Sequence, residues 1–561
     1  MTRVAALQFA SGTDVDANLE TCLRMIDRAA QHEPQVMVLP EFCNHISWYD
    51  DAEHARRVSL DLEGEFLAQI ARRAGQHNCH IVINVSLRRD GDALTITSLM
   101  YGPAGELLAQ ADKQTLMGHE NIWFQRAREV SEVVETGVGR LAMFPCRDGV
   151  TFETPRGLAL RGAQLFCDSL NSFALDEASL HVPARAPENR VFLVAANKVG
   201  PLIPIDLLEQ VSEETHIPLQ FLYGAGESQI VSPAGEVLAK GPRHEEAVVC
   251  AELDLSLADN KTRGDGTHIF ASRRPTLYRE IAEPPVASTM PPGVPVEVAC
   301  LNPGGSGDQA LANLQALVLE LPPATRLAVL PELFASRWRA AEGSDAVVQV
   351  LSDICKSRHG MLLCTSLPWE RDGGSELCAV LIDESGIIAR QAQLHTSERF
   401  PDLVPGARLQ LVDMSWGRLA LLTADDMRYP ETAKLAAIGG AHLLVVPGKL
   451  LEPWESRWAL PSRAAENRLC VAYASEPLDN AGSLIAGLHR DFTLMTPWQQ
   501  REFDGYINQP LLTGQGEAGK LISATLDLEA SSNKLMSAQT DLIADRPWRL
   551  SGELVSGGSD G

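Results

Sequence analysis

Apolar and polar positions along the first part of the chain alternate between two periods. Residues 4–9 form a short apolar run of strand character, and 11–16 a polar turn rich in helix-capping side chains. Leu19, Cys22, Leu23, Ile26, Ala29 and Ala30 then fall on one helical face. Residues 36–39 read as a buried strand stopped by Pro40, with Glu41 at its end. The pattern predicts a second helix over 66–76, strands over 81–85 and 94–101, and a Gly-Pro-Ala-Gly turn at 102–105. The order β-α-β-α-β-β continues to residue 255 and predicts an α/β layer structure.

Residues 283–295 interrupt it. Five prolines in this stretch exclude a helix or a central strand and predict a stiff, extended linker. After it the pattern begins again. Residues 327–334, Leu-Ala-Val-Leu-Pro-Glu-Leu-Phe, repeat 36–42; 417–422 repeat 139–144; 463–468 repeat 185–190. The later blocks share one offset of 278, which relates 139 to 417, 153 to 431 and 185 to 463; the early glutamates, 41 and 332, are 291 apart. A common offset over several blocks is an internal duplication of about 250 residues, far longer than a solenoid repeat. The predicted organisation is a domain at 1–282, the linker at 283–295, a second domain at 296–545 and a flexible tail at 546–561. Gly304-Gly305-Ser306-Gly307 has the look of a phosphate loop, but its first-half counterpart, Ser11-Gly12-Thr13-Asp14, lacks the glycines, so a helix-capping turn is expected.

Composition narrows the class. An apolar content of 45% and a charged content of 22% describe a soluble globular chain, and 561 residues require at least two domains. The net charge of −25 argues against nucleic acid or an anionic membrane as partner. No apolar run approaches the length of a membrane span, and the N-terminus lacks a signal-like core. Eleven cysteines, an odd number with no C-x-x-C pair, suit neither a disulfide framework nor a zinc site and point to a cytoplasmic protein. No metal or organic cofactor is expected.

Four groups in the first half sit at strand ends or in adjoining turns: Glu41, Lys113, Glu120 and Cys146. Each has a bland reading alone, and most free cysteines are small core residues. Together they supply thiol-based acyl transfer: a nucleophile, a carboxylate to move protons, and an ammonium able to lower the thiol pKa and hold an oxyanion.

These residues, with Leu39-Pro40-Glu41-Phe42, Cys146-Arg147-Asp148…Glu153 and Arg185-Ala186-Pro187-Glu188-Asn189, resemble the nitrilase superfamily of carbon–nitrogen hydrolases, twice over. The resemblance implies an α-β-β-α sandwich in each half and a Glu-Lys-Cys triad. Glu41 would be the general base and acid, Cys146 the nucleophile, and Lys113 the oxyanion stabiliser together with the backbone N–H of Arg147. Glu120 would support the lysine. It also implies that the halves pack as an intramolecular pseudo-dimer, with higher oligomers open.

The second half keeps Glu332 but carries Gln393 at the lysine position and Ala424 at the cysteine position, so it is expected to be catalytically dead. Asp425, Asp426, Tyr429, Pro430 and Glu431 survive. It acts either as a structural partner or as a ligand holder, with Glu332 and His395 lining a relic pocket. The expected reaction is hydrolysis of a small amide or carbamoyl substrate through a Cys146 thioester. Nitrile-cleaving members tend to carry Trp-Glu after the cysteine, where Arg147-Asp148 stands here. The arginines of carbamoyl amino-acid hydrolases are replaced by Gly149 and Val150. Arg147 faces either an acidic substrate group or an ion-pair partner; Trp123, Phe152 and His119 are candidates for shaping the pocket. An acyltransferase, a nitrile hydrolase and a non-catalytic scaffold remain as alternatives.

Overall fold

The computed structural model describes residues 1–286, 290–334, 343–371, 373–514 and 520–556. The chain forms two compact units. In the first, a six-stranded sheet is built from β1 (Thr2–Gln8), β2 (Val36–Val38), β3 (His80–Arg88), β4 (Leu94–Tyr101) and β5 (Leu107–Asp112), with the late strand β12 on its outer edge. The other sheet runs in order through β6 (Val133–Thr136), β7 (Gly139–Pro145), β8 (Leu165–Ser169), β9 (Phe192–Ala196), β10 (Gln229–Val231) and β11 (Val237–Lys240). β12 spans Ala247–Leu253 and closes the first sheet by pairing antiparallel with β1, Val4 opposite Ala251.

The three central strands of each sheet are parallel or flanked by parallel neighbours and are apolar on both faces, as the unbroken runs at 36–39 and 141–144 require. Val4, Val36, Val82, Leu141, Leu165 and Val194 pack into the apolar layer that the two sheets share. The opposite face of the first sheet, including Leu7, Met37 and Ile83, is covered by α1 (Val15–Ala30) and by the helix Glu65–His77 through Cys22, Met25, Ile26 and Ile70. The helix face read from the sequence is the buried one, and Asp14 caps α1 by accepting the N–H groups of Asp16 and Ala17.

The second unit repeats this plan strand for strand. Its sheets run Leu521–Asp527, Pro295–Leu301, Thr325–Val329, Leu362–Arg371, Gly374–Asp383, Gly386–Ala392, and Leu411–Met414, Gly417–Leu421, Leu443–Pro447, Cys470–Ala474, Leu484–Gly487, Leu511–Thr513. The duplication read from the sequence is therefore a duplication of topology.

The units do not follow the sequence boundaries. The first comprises 1–261 with 491–508 and 535–554; the second comprises 262–490 with 509–534 and 555–561. Residues 262–282, expected in the first domain, belong to the second unit because their polar groups bond there. Arg273 pairs with Glu431 at 2.9 Å, Ser272 Oγ meets the Tyr429 hydroxyl at 2.6 Å, and Arg274 donates to the carbonyl of Leu394 at 2.8 Å. The expected tail likewise contributes 546–554 to the first unit. The linker residues 283–286 and 290–294 contain neither helix nor strand; 287–289 and 557–561 lie outside the described residues. No helix among the described residues is long and apolar enough to cross a membrane.

Candidate active site

β7 carries its apolar run to Pro145, and Cys146 makes the turn into the short helix Arg147–Val150. Cys146 has φ 42° and ψ −101°, a conformation that side-chain-bearing residues seldom adopt and that costs of order 1–3 kcal/mol. Its N–H is held by β8, donating to the carbonyl of Ser169 at 2.9 Å and to Asp168 Oδ1 at 3.1 Å. The turn places the thiol beyond the carboxyl end of a parallel strand, where α/β sheets assemble their sites.

Glu41 arrives from β2 in the facing sheet. Its N–H donates to the carbonyl of Leu170 at 3.1 Å, so the acid is fixed to the strand next to the cysteine's. Lys113 follows β5, and its Nζ lies 2.8 Å from Glu41 Oε1 and 2.8 Å from Glu120 Oε1. Lys113 and Glu41 are each 1% exposed. Burial works against the ammonium, but Glu120 and Glu41 outweigh it and hold the Lys113 pKa above the ordinary lysine value. Burial pushes Glu41 up to about 7, with Lys113 pulling it down and Glu120 adding to the rise.

The thiol behaves differently from the sequence-based expectation. Burial, and then the Glu41 carboxylate, push its pKa well above the ordinary cysteine range; the Lys113 ammonium lowers it by less. The Cys146 thiol is thus held toward its protonated form beside a carboxylate raised to about 7.

The supporting shell was partly legible. Glu120 Oε2 accepts the Met117 N–H at 2.7 Å, and Asp148 accepts the N–H groups of Gln114 and Thr115, each at 2.8 Å, which ties the helix after Cys146 to the segment after Lys113. His119 bonds to Ser47 and Trp123 packs edge-on against Tyr49; Phe152 is fully buried. Three participants were missed. Lys198 donates from Nζ to the carbonyl of Phe42 at 3.0 Å, behind Glu41. Glu177, buried on the turn Glu177–His181, adds its field to those of Cys146, Arg147 and Asp168, and burial with Asp176 raises it to about 8. The same 278-residue offset relates it to Glu455, a signal present in the sequence. Thr540 is 0% exposed, and its hydroxyl accepts the Gly118 N–H and donates to the Leu116 carbonyl, both at 2.9 Å. It clamps the turn, with Gly118 at φ 50°, that delivers Glu120 to Lys113. Nothing local in the sequence marks it.

The family model described as carbon-nitrogen hydrolase matches residues 3–262 and 306–489. The chain belongs to the carbon–nitrogen hydrolase family. A protein named nitrilase from Pyrococcus abyssi is 30% identical over 267 residues, covering 47% of this chain and 93% of that protein. The human protein named omega-amidase NIT2 is 30% identical over 195 residues, covering 31% and 70%. Among solved structures, an amidase from Nesterenkonia sp. AN1 is similar at 22% identity and a TM-score of 0.38, covering 46% of this chain and 96% of that one.

In this member of the carbon–nitrogen hydrolase family the second unit preserves the frame and carries different side chains on it. Glu332 donates its N–H to the Gly448 carbonyl, the counterpart of the Glu41 contact. Asp426 accepts the N–H groups of Leu394 and His395, the counterpart of the Asp148 contacts, which puts Gln393 in the place of Lys113. Ala424 opens the helix Ala424–Met427 after Thr423 at φ −85°, and Ala424 is not among the residues with positive φ. The strained turn is gone together with the thiol.

The relic site is spanned by the chain itself. The Arg399 guanidinium bonds Glu332 and reaches Asp425 at 3.4 Å; Arg428 pairs with Asp425 and with Glu455, each at 2.7 Å. Against the cost of burial, Arg428 and Arg399 hold Asp425 below its ordinary pKa. His395, expected to line a pocket, is fully buried. It bonds Asp426 through Nδ1 at 2.8 Å and the Tyr278 hydroxyl through Nε2 at 2.5 Å, and stacks on Tyr429.

Proposed function

We propose that the first unit is an amidase that cleaves a small amide, or carbamoyl, substrate through a thioester on Cys146. Cys146 Sγ attacks the carbonyl carbon while Glu41 takes the thiol proton. Lys113 and the N–H of Arg147 hold the oxyanion; as the first residue of its helix, Arg147 has no carbonyl within that helix to receive its N–H. The tetrahedral intermediate collapses, Glu41 passes its proton to the departing amine, and the acyl group stays on sulfur. Glu41 then deprotonates a water that attacks the thioester, releases the acid and returns the proton to the thiol.

The observation that carries this reading is the buried Glu41–Lys113–Glu120 bridge. A carboxylate raised to about 7 can both accept the proton of an unionised thiol and return one to an amine. The relatives named as amidases support an amide as substrate, and Arg147-Asp148 after the cysteine favours it over a nitrile. Glu332, Gln393 and Ala424 leave the second unit without a nucleophile, and its role is structural. Intact-mass analysis during incubation with a panel of amides tests the reading. An acyl adduct is expected on Cys146; turnover with no adduct, and unchanged in Cys146→Ala, would overturn it.

A further inference from the structure

Lys198 follows β9 by two residues and is fully buried. Its backbone is fixed: its N–H donates to Asn197 Oδ1 and its carbonyl accepts the Gly226 N–H, each at 2.9 Å. Its Nζ donates at 3.0 Å to the carbonyl of Phe42 rather than to a carboxylate. Burying an ammonium on a neutral acceptor is costly, so the placement calls for a reason beyond packing. Phe42 follows Glu41 directly and turns at φ 55°, a backbone region that bulky side chains seldom occupy. Its N–H donates to Asn84 Oδ1 at 3.1 Å, so the turn is held at its N–H and, by Lys198, at its carbonyl. With the Glu41 N–H on the Leu170 carbonyl, the peptide groups on both sides of the acid are tied down.

The duplication supplies an internal control. In the second unit, Leu333 follows Glu332, has φ 51° and donates its N–H to Ser366 Oγ at 2.8 Å. The N–H of Leu170 bonds the Ala196 carbonyl and that of Gly448 the Ala474 carbonyl, so position 198 corresponds to 476. Glu476 stands there and pairs with Lys449 at 3.5 Å. The turn therefore forms with a cation or with an anion at this position, and the cation belongs to the unit that has the thiol. Burial lowers Lys198 to about 8, against the pull of Cys43, Glu41, Cys22 and Cys146, which are the titratable groups that face it; it stays largely charged at neutral pH. Glu41 in turn faces Lys113, Glu120 and Lys198.

We propose that Lys198 is a positioning residue of the first site: it fixes the turn after Glu41 and sets a positive charge behind the carboxylate that takes the Cys146 proton. Lys113 bonds that carboxylate directly, whereas Lys198 acts through the backbone and through its field. Its part in turnover rests on the amidase reading above.

The test follows alkylation of Cys146 by iodoacetamide against pH in the full-length protein, read by peptide mass, which reports on Glu41 without turnover. Glu41 must be ionised to take the thiol proton, and a positive charge nearby favours that form. Lys198→Met is therefore expected to move the acid limb of the alkylation rate up by about half a pH unit to one pH unit. In the same variant kcat for butyramide is expected to fall roughly 10- to 100-fold with KM nearly unchanged. Lys198→Arg keeps the charge and is expected to return the limb toward that of the unaltered protein. Lys198→Gln, also neutral, is read in the same way where Lys198→Met does not fold. An acid limb unmoved in a folded Lys198→Met or Lys198→Gln overturns the inference, whatever happens to kcat. Failure of both variants to fold also overturns it, since the lysine would then serve the fold. A moved limb in a protein that cleaves no amide of a small-amide panel overturns the amidase reading and leaves the placing of Glu41 by Lys198 standing.

Discussion

One chain holds two versions of the same site, and they differ in how charge is balanced. The first unit sets two carboxylates against one ammonium, Glu41 and Glu120 on Lys113, and leaves a thiol and an open guanidinium beside them. The second closes its set internally, with Glu332, Asp425 and Glu455 bridged by Arg399 and Arg428. The same strands and the same backbone contacts thus support a set that keeps a thiol and unbonded guanidinium nitrogens beside its ion pairs and one in which each of the three acids is bonded to an arginine. The two units share the frame and differ, at the site, in the side chains at 113/393, 146/424 and 147/425 and in the positive-φ turn at Cys146.

The sharpest way to break this comparison is to exchange the residues at the strand ends. Cys146→Ala is expected to lower amide hydrolysis by several orders of magnitude, measured as ammonia release. Adding Ala424→Cys to that variant is expected to restore nothing, because Gln393 brings no charge and Arg399 bonds Glu332; an acyl adduct on the new thiol would show that the second site is only masked. Removing Arg399 probes the closed set. Arg399→Ala leaves Glu332 without the guanidinium it bonds, and is expected to destabilise the second unit by about 3–5 kcal/mol, read by thermal or urea unfolding. Amide turnover at Cys146 should survive below the unfolding midpoint.

Smaller effects sharpen the picture of the first site. Glu41 must be ionised to accept the thiol proton, and burial raises its pKa to about 7. Acid therefore removes the active form: kcat/KM should fall tenfold per unit below about pH 7 and level off above it. A profile flat from pH 5 to 8 would exclude Glu41 as the base. Thr540→Val deletes the clamp on the Leu116–Gly118 turn and leaves the Gly118 N–H without its acceptor, while the Leu116 carbonyl keeps Asn121 Nδ2 at 3.2 Å. The expected loss is about 1–2 kcal/mol, seen as a reduction in kcat of roughly tenfold with no change in the Cys146 requirement.

Much of this was legible because local pattern and chemistry agree. The apolar runs at 36–39 and 141–144 lead to Glu41 and Cys146, and β2 and β7 end at Val38 and Pro145, shortly before those residues. The repeat gave the equivalences of Glu332, Gln393 and Ala424, and the backbone contacts of Asp148 and Asp426 reproduce them. What escaped lacks a local signal. Thr540 acts on a turn more than 400 residues away in sequence, and no periodicity records such a partner. Arg399 reads as one more charged residue in a polar loop until its neighbours are known. The direction of the thiol shift was missed for a physical reason: attraction to Lys113 is visible in a residue inventory, whereas the cost of desolvating a thiolate beside Glu41 depends on three-dimensional packing.

The placement of 491–508 and 535–554 in the first unit also bears on how the protein is made. A ribosome that has just released residue 261 has delivered every member of the Glu41–Lys113–Cys146 set, but not Thr540. At about 5–20 residues per second, roughly 15–60 s of synthesis separate the two events. During that interval the Glu120 turn lacks its clamp, and the buried Asp176 carboxylate lacks the Asn508 N–H that it accepts at 2.6 Å. Until the second half has emerged, the first unit lacks the segments 491–508 and 535–554 that complete it.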